Sequence, residues 1–181
     1  MSEKTKEDAV KRIKEEFEEI NNNSDSLKDF SVKYLNDNDF FKWQITLEGP
    51  KDTPYKGGSF ILIAEFPEDY PNHGPTVVFR TPIYHVNINY QKNLDPLGYF
   101  WSACLSTWYS ERRMTEVFTE LLTLIKNPHP ESSYGLERAE ELRYNKDLYD
   151  EKVKFFTKKY ANPKSCNIFK EYEEDWNFNI F

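Results

Sequence analysis

Two cysteines, Cys104 and Cys166, and three histidines, His73, His85 and His129, are the side chains of this 181-residue chain best suited to nucleophilic or metal chemistry. They show no CxxC, HxxxH or HExxH spacing, so no set of zinc ligands is spelled out. No GxxxxGK[ST] or GxGxxG stretch offers the row of backbone amides that cradles nucleotide phosphates, so any energy input must come from a partner. Two cysteines make no disulfide framework and read as reduced thiols. Cys104 lies in Trp101-Ser102-Ala103-Cys104-Leu105-Ser106, within a loop-rich stretch from Thr81 to Glu111 where a large partner can reach a thiol. Composition alone favours a small buried hydrophobe at such a position, so both readings stand at this point. Cys166 has no signature around it and reads as an ordinary thiol.

The elements that must position these residues follow from hydrophobic period. Val10, Ile13, Phe17 and Ile20 recur at helical spacing and predict an amphipathic first helix. Phe41, Trp43, Ile45 and Leu47 then alternate with Lys42, Gln44, Thr46 and Glu48, the pattern of a half-buried strand. With strands expected from Ser31, over Ser59 to Phe66 and over Thr76 to Arg80, joined by short turn-rich loops, the class is α+β: a four-stranded antiparallel meander with helices on one face. Helical pattern returns from Met114 to Ile125 and, after Asn127-Pro128-His129-Pro130, from Gly135 to Tyr160 with a break near Asn145. Residues 1–161 read as one domain and 162–181 as an acidic, aromatic tail whose Phe169, Tyr172 and Trp176 are expected to pack on it. The balance of 24 basic and 31 acidic residues gives 24 − 31 = −7, against nucleic-acid or membrane binding through bulk charge. The longest apolar run, Phe60 to Ala64, is far short of a membrane span, and the charged start carries no signal-peptide pattern; a cytoplasmic or nuclear location is expected.

Several separated motifs occur in one order. These are Phe41-Lys42-Trp43-Gln44, the run Gly49-Pro50-Lys51-Asp52-Thr53-Pro54-Tyr55-Lys56-Gly57-Gly58, then Phe66-Pro67-Glu68-Asp69-Tyr70-Pro71 and Ile83-Tyr84-His85-Val86-Asn87-Ile88. Cys104-Leu105-Ser106, Trp108, Asn127-Pro128-His129-Pro130-Glu131 and Lys158-Lys159-Tyr160-Ala161 continue the series. From Lys11 to Ala161 the chain resembles the catalytic domain of ubiquitin-conjugating enzymes, and a collinear series is far more specific than any one short motif. The resemblance implies that Cys104 carries ubiquitin, or a ubiquitin-like modifier, as a thioester and passes it to a lysine or a ligase. It also implies Asn87 as donor to the oxyanion, a loop-shaping role for His85, and Ser132 at the gate where an attacking amine is positioned. No cofactor is implied, because ATP is consumed by the activating enzyme. Partners implied are the modifier, that activating enzyme, a ligase and protein substrates.

Departures from the family pattern set further expectations. Val86 stands where the family has proline, which removes a fixed φ and predicts a less preorganised Asn87; Asn89 is an alternate donor. Ser132 carries no charge, so its phosphorylated form or Glu131 is the candidate substitute. The chain is longer than usual between Asn87 and Cys104, including Gln91 to Pro96, and shorter between Cys104 and Trp108. Asn72 and Tyr109-Ser110-Glu111 replace the apolar anchors on which ligases dock, whereas Lys11, Arg12 and Lys14 keep a basic first helix for the activating enzyme. Two alternatives remain: a catalytically weak or inactive adaptor of the same fold that binds ubiquitin, and a papain-like hydrolase, which requires His85 aimed at Cys104.

Overall fold

The computed structural model describes residues 3–22, 27–90 and 98–162. Helix α1 (Glu3–Asn22) leads into β1 (Phe30–Asn36), β2 (Asp39–Glu48), β3 (Ser59–Glu65) and β4 (Thr76–Phe79). Each of these strands pairs antiparallel with the next, with Tyr34 opposite Trp43, Ile45 opposite Leu62 and Leu62 opposite Phe79. The sheet has six strands, not four, in the order β1-β2-β3-β4-β6-β5. The two extra strands are β5 (Ile88–Tyr90) and β6 (Gly98–Phe100), paired with each other and joined to the meander by the Phe79–Gly98 pair. At three residues apiece they are too short for alternation to show, and both fall within the stretch from Thr81 to Glu111 that reads as loop.

The alternation in β2 does what its period dictates. Trp43, Ile45 and Leu47 are fully buried, while Gln44 and Thr46 between them stay half-exposed. Each of those three contributes roughly 1.5–3 kcal/mol by burial. Ile63 and Val78, of opposite parity in β3 and β4, form a small cluster of their own away from the main core. On the core face α1 lays down Phe17, stacked 4.1 Å from Tyr34 and edge-on to Trp43. The fully buried stripe of α1 is Ala9, Ile13, Glu16 and Ile20, so a carboxylate occupies a place where an apolar residue is expected. Glu16 is satisfied there: Arg12 pairs with it, the Tyr70 hydroxyl donates to Oε1 at 2.7 Å and the Met114 amide donates to Oε2 at 2.7 Å. Val10 lies at the edge of the stripe, half-buried.

Beyond the sheet come the one-turn helix α2 (Ala103–Ser106), α3 (Met114–Lys126), a 3-10 turn (Pro130–Ser132), α4 (Leu136–Tyr144) and α5 (Lys146–Tyr160). The expected break near Asn145 is a helix boundary, where the Asn145 side chain accepts from the Leu148 amide and caps α5. Buried Tyr149, Val153, Phe156 and Tyr160 form one face of α5, with Tyr149 and Phe156 each within 6 Å of the Tyr84 ring. Trp108 anchors the segment between α2 and α3 by donating from Nε1 to the Pro71 carbonyl at 2.8 Å. Its ring lies so close to Gly74 that a Cβ there would stand 2.7 Å from it. No described helix is long and apolar enough to cross a membrane. The tail from 163 onward, with Cys166, and the inserted Gln91 to Pro96 lie outside the described residues.

Candidate functional site

The segment His85-Val86-Asn87 is fully buried and fixed at almost every polar atom. The Asn87 amide donates to His85 Nδ1 at 3.0 Å, so the proton of that imidazole sits on Nε2, which donates to the Leu124 carbonyl at 3.1 Å. Burial pushes the His85 pKa down to about 3, against the opposing pull of the Leu124 carbonyl. The ring is therefore neutral at physiological pH, and both its nitrogens are used. His85 does not serve a papain-like arrangement, since neither nitrogen is free for Cys104.

Val86 departs from the expectation set by its missing proline. Its N–H, which proline would lack, donates to the Tyr149 hydroxyl at 3.1 Å, and its carbonyl accepts from the Tyr134 amide at 3.1 Å. The Arg138 guanidinium donates to the carbonyls of His85 and Ile88 at 3.2 and 3.0 Å. Hydrogen bonds from α4 and α5 thus replace the ring constraint, and Asn87 is held firmly.

Asn87 itself acts as a clamp. Its Nδ2 donates to the carbonyls of His129 at 2.7 Å and Ser132 at 3.1 Å, and its Oδ1 accepts from the His129 amide at 2.8 Å. Both donor hydrogens and the acceptor are committed to the 3-10 turn. Asn87 and Ser132 are thereby brought together, although the contact is through the Ser132 backbone; its side chain is exposed. Glu131 is also exposed and lies 3.6 Å from Arg143. Asn89 sits in β5 opposite Tyr99.

Cys104 occupies the second position of α2, half-buried, rather than a loop. The Ser102 side chain caps this turn by accepting from the Leu105 amide at 3.1 Å. Glu120, from α3, accepts from the Ser102 hydroxyl, from the Ala103 amide at 2.7 Å and from the Cys104 amide at 3.0 Å. Burial would raise the Glu120 carboxyl, but these hydrogen bonds outweigh it and hold its pKa below the usual value. Beside it the Cys104 thiol is pushed up to about 11, by burial first and then by the hydrogen bond and charge of Glu120, with Arg112 pulling the other way.

Next to this turn opens a cleft of about 160 Å³, lined by Asn87, Trp101, Glu120, His129, Ser132 and Tyr134 among others. Trp101 stands on its rim, 63% exposed. Glu120 is the cleft's one acidic lining residue. Among the described residues no group of three His, Cys, Asp or Glu side chains is placed to hold a metal ion.

Sequence reasoning missed Glu120, Arg138 and Tyr149. Glu120 looked like an ordinary polar position of an amphipathic helix, and nothing in its separation from Cys104 marks it. Of the basic residues of α1, Lys11 and Lys14 are exposed, but Arg12 is turned inward to Glu16 and the Arg112 carbonyl.

Comparison with known proteins supports one family. Residues 12–157 match the family model described as ubiquitin-conjugating enzyme. Among solved structures, the chain is similar to a Plasmodium yoelii protein described as a ubiquitin conjugating enzyme, at 26% identity and a TM-score of 0.73, covering 85% of this chain and 96% of that one. It is also similar to the conjugating domain of a Toxoplasma gondii ubiquitin conjugating enzyme, at 25% identity and a TM-score of 0.72, covering 84% of this chain and 99% of that one.

Proposed function

The chain belongs to the ubiquitin-conjugating enzyme family, and from that premise we propose that it carries ubiquitin or a ubiquitin-like modifier as a thioester on Cys104. The observation that carries this reading is a half-buried thiol on a capped single turn, hydrogen-bonded to a carboxylate, Glu120, that also lines an open cleft, within the span the family model matches. In the loading step the sulfur gives up its proton to solvent and attacks the carbonyl carbon of the modifier's C-terminal thioester on an activating enzyme. A new C–S bond forms, the old one breaks, and the activating enzyme's sulfur leaves as a thiolate. In the transfer step a lysine amine attacks the Cys104 thioester, an amide bond forms, the amine loses its proton and the Cys104 sulfur departs.

Asn87 contributes in the first place by holding the His129–Ser132 turn, and donating to an oxyanion requires that it release one of the two carbonyls it now serves. Ser132, which lines the cleft, is the residue we assign to the gate where the amine is positioned, and ATP remains the business of the activating enzyme. Ligase and protein substrates complete the partner set, in the cytoplasm or nucleus.

A loading assay with activating enzyme, ATP and tagged ubiquitin on non-reducing gels tests the reading. The wild-type chain should give a thiol-labile adduct, Cys104→Ser a thiol-resistant one and Cys104→Ala none. Absence of any adduct across a panel of modifiers and their activating enzymes would overturn it in favour of an adaptor that binds ubiquitin without carrying it.

A further inference from the structure

Glu120 stands midway along α3, at a position that reads as solvated surface, yet its side chain turns onto the cysteine turn. A helix of four residues has no cooperative stability of its own, so the direction of the Cys104 side chain depends on what holds the turn from outside. That holding is concentrated in one carboxylate: it takes the Ala103 and Cys104 amides and the Ser102 hydroxyl, which itself accepts from Leu105. A carboxylate is suited to this, being acceptor-only; an amide would turn its NH2 group toward the Ala103 amide or toward the Ser102 hydroxyl and Cys104 amide. The same contacts set a full negative charge against the sulfur. The charged groups that face Cys104 are Glu120 and Glu116 from α3 and Arg112 from the segment before it; Arg112 reaches the turn through the Ala103 carbonyl, at 3.2 Å, whereas Glu120 takes its amides and the capping hydroxyl.

Resting on the reading of Cys104 as the carrier, we propose that Glu120 is the positioning residue of that cysteine: it fixes the direction of the thiol through three hydrogen bonds and slows its attack through the charge it places beside the sulfur. Placement and reactivity are thereby coupled in one side chain. The thiol is aimed at an incoming thioester while remaining sluggish toward small electrophiles that no partner presents. The elevated pKa of Cys104 accords with this geometry.

Alkylation by iodoacetamide, followed across pH 6.5 to 10.5, tests the proposal on the full chain carrying Cys166→Ser, which leaves Cys104 as its single cysteine. The wild-type rate should climb throughout this range. In Glu120→Gln the same profile should move at least one pH unit lower, so that the rate at pH 8 rises about tenfold. Glu120→Asp, which keeps the charge, should stay on the wild-type side, and Glu116→Gln should shift the profile less than Glu120→Gln. A Glu120→Gln protein that melts earlier but alkylates along the wild-type profile would reduce Glu120 to a structural brace and overturn the proposal. Should that variant not fold by circular dichroism, Ser102→Ala decides: freeing the carboxylate from one donor leaves more of its charge for the sulfur and slows alkylation, and an unchanged rate overturns the proposal. Alkylation needs neither modifier nor activating enzyme, so failure here and failure of the carrier reading show up in separate experiments.

Discussion

Replacing Asn87 separates a clamp from an oxyanion donor. Its side chain makes three hydrogen bonds to the 3-10 turn, at 2.7, 2.8 and 3.1 Å, while only 4% exposed. At a net of about 1 kcal/mol apiece, with water able to reach part of an exposed turn, Asn87→Ala should cost about 2–4 kcal/mol. For a domain of this size that lowers Tm by about 4–16 °C. Asn87→Asp should be worse at neutral pH, because one carboxylate oxygen keeps the His129 amide while the other faces the carbonyls of His129 and Ser132. Repulsion there favours the protonated acid in the fold, so this variant should lose less stability than wild type as pH falls from 7.5 toward 5. Thermal melts at both pH values, run beside single-turnover discharge to free lysine, supply the two readouts. An Asn87→Ala protein that melts within a degree of wild type but fails to discharge would refute the clamp, as would an Asn87→Asp protein as stable as wild type at pH 7.5.

His85 is neutral in the fold with a pKa of about 3, while an unfolded histidine takes up a proton near 6.5. Its contribution is therefore intact above about pH 6.5 and lost as pH falls toward 3, at about 1.4 kcal/mol per unit and about 2 kcal/mol by pH 5. Denaturant melts of His85→Gln, which does not titrate, should show a shallower acid decline than wild type; equal slopes would contradict the assignment. Arg112→Gln removes the cation that favours the Cys104 thiolate and should slow alkylation at pH 8 by about threefold; a faster rate would mean that Arg112 does not face the sulfur. Glu16→Ala strips the acceptor from Arg12, Tyr70 and the Met114 amide and should cost about 3–5 kcal/mol by urea denaturation, whereas a change below about 1 kcal/mol would show those donors finding other partners.

The meander and its helices were legible because their signal is periodic. Trp43, Ile45 and Leu47 announce a strand, Met114 to Ile125 a helix, and Asn145 a cap, each within a few neighbouring residues. What escaped is what depends on distant residues meeting. β5 and β6 are too short to carry a period, and Glu16 replaces an apolar residue in the α1 stripe because partners from two other elements satisfy it. Of the site, Cys104, Asn87 and Ser132 could be singled out through motif resemblance. Glu120, Arg138 and Tyr149 act through bonds to residues 16, 50 and 63 positions away, and no local pattern marks such pairs. Val86 was readable only as a lost constraint, since its new partner Tyr149 is invisible until the chain is folded.

That pairing ties residues 86 and 149 so that neither can be changed alone without cost. Proline at 86 would supply a fixed φ but remove the N–H that the Tyr149 hydroxyl accepts, costing that bond; phenylalanine at 149 would strand the buried Val86 N–H. Each change alone should therefore destabilise, while Val86→Pro with Tyr149→Phe should recover part of the loss, a positive interaction in a double-mutant cycle read by Tm. Strictly additive losses would show that the two positions do not speak to each other. A ring and a hydrogen bond are thus two exclusive ways of holding one asparagine, and residue 149 limits what residue 86 can be as much as the reverse.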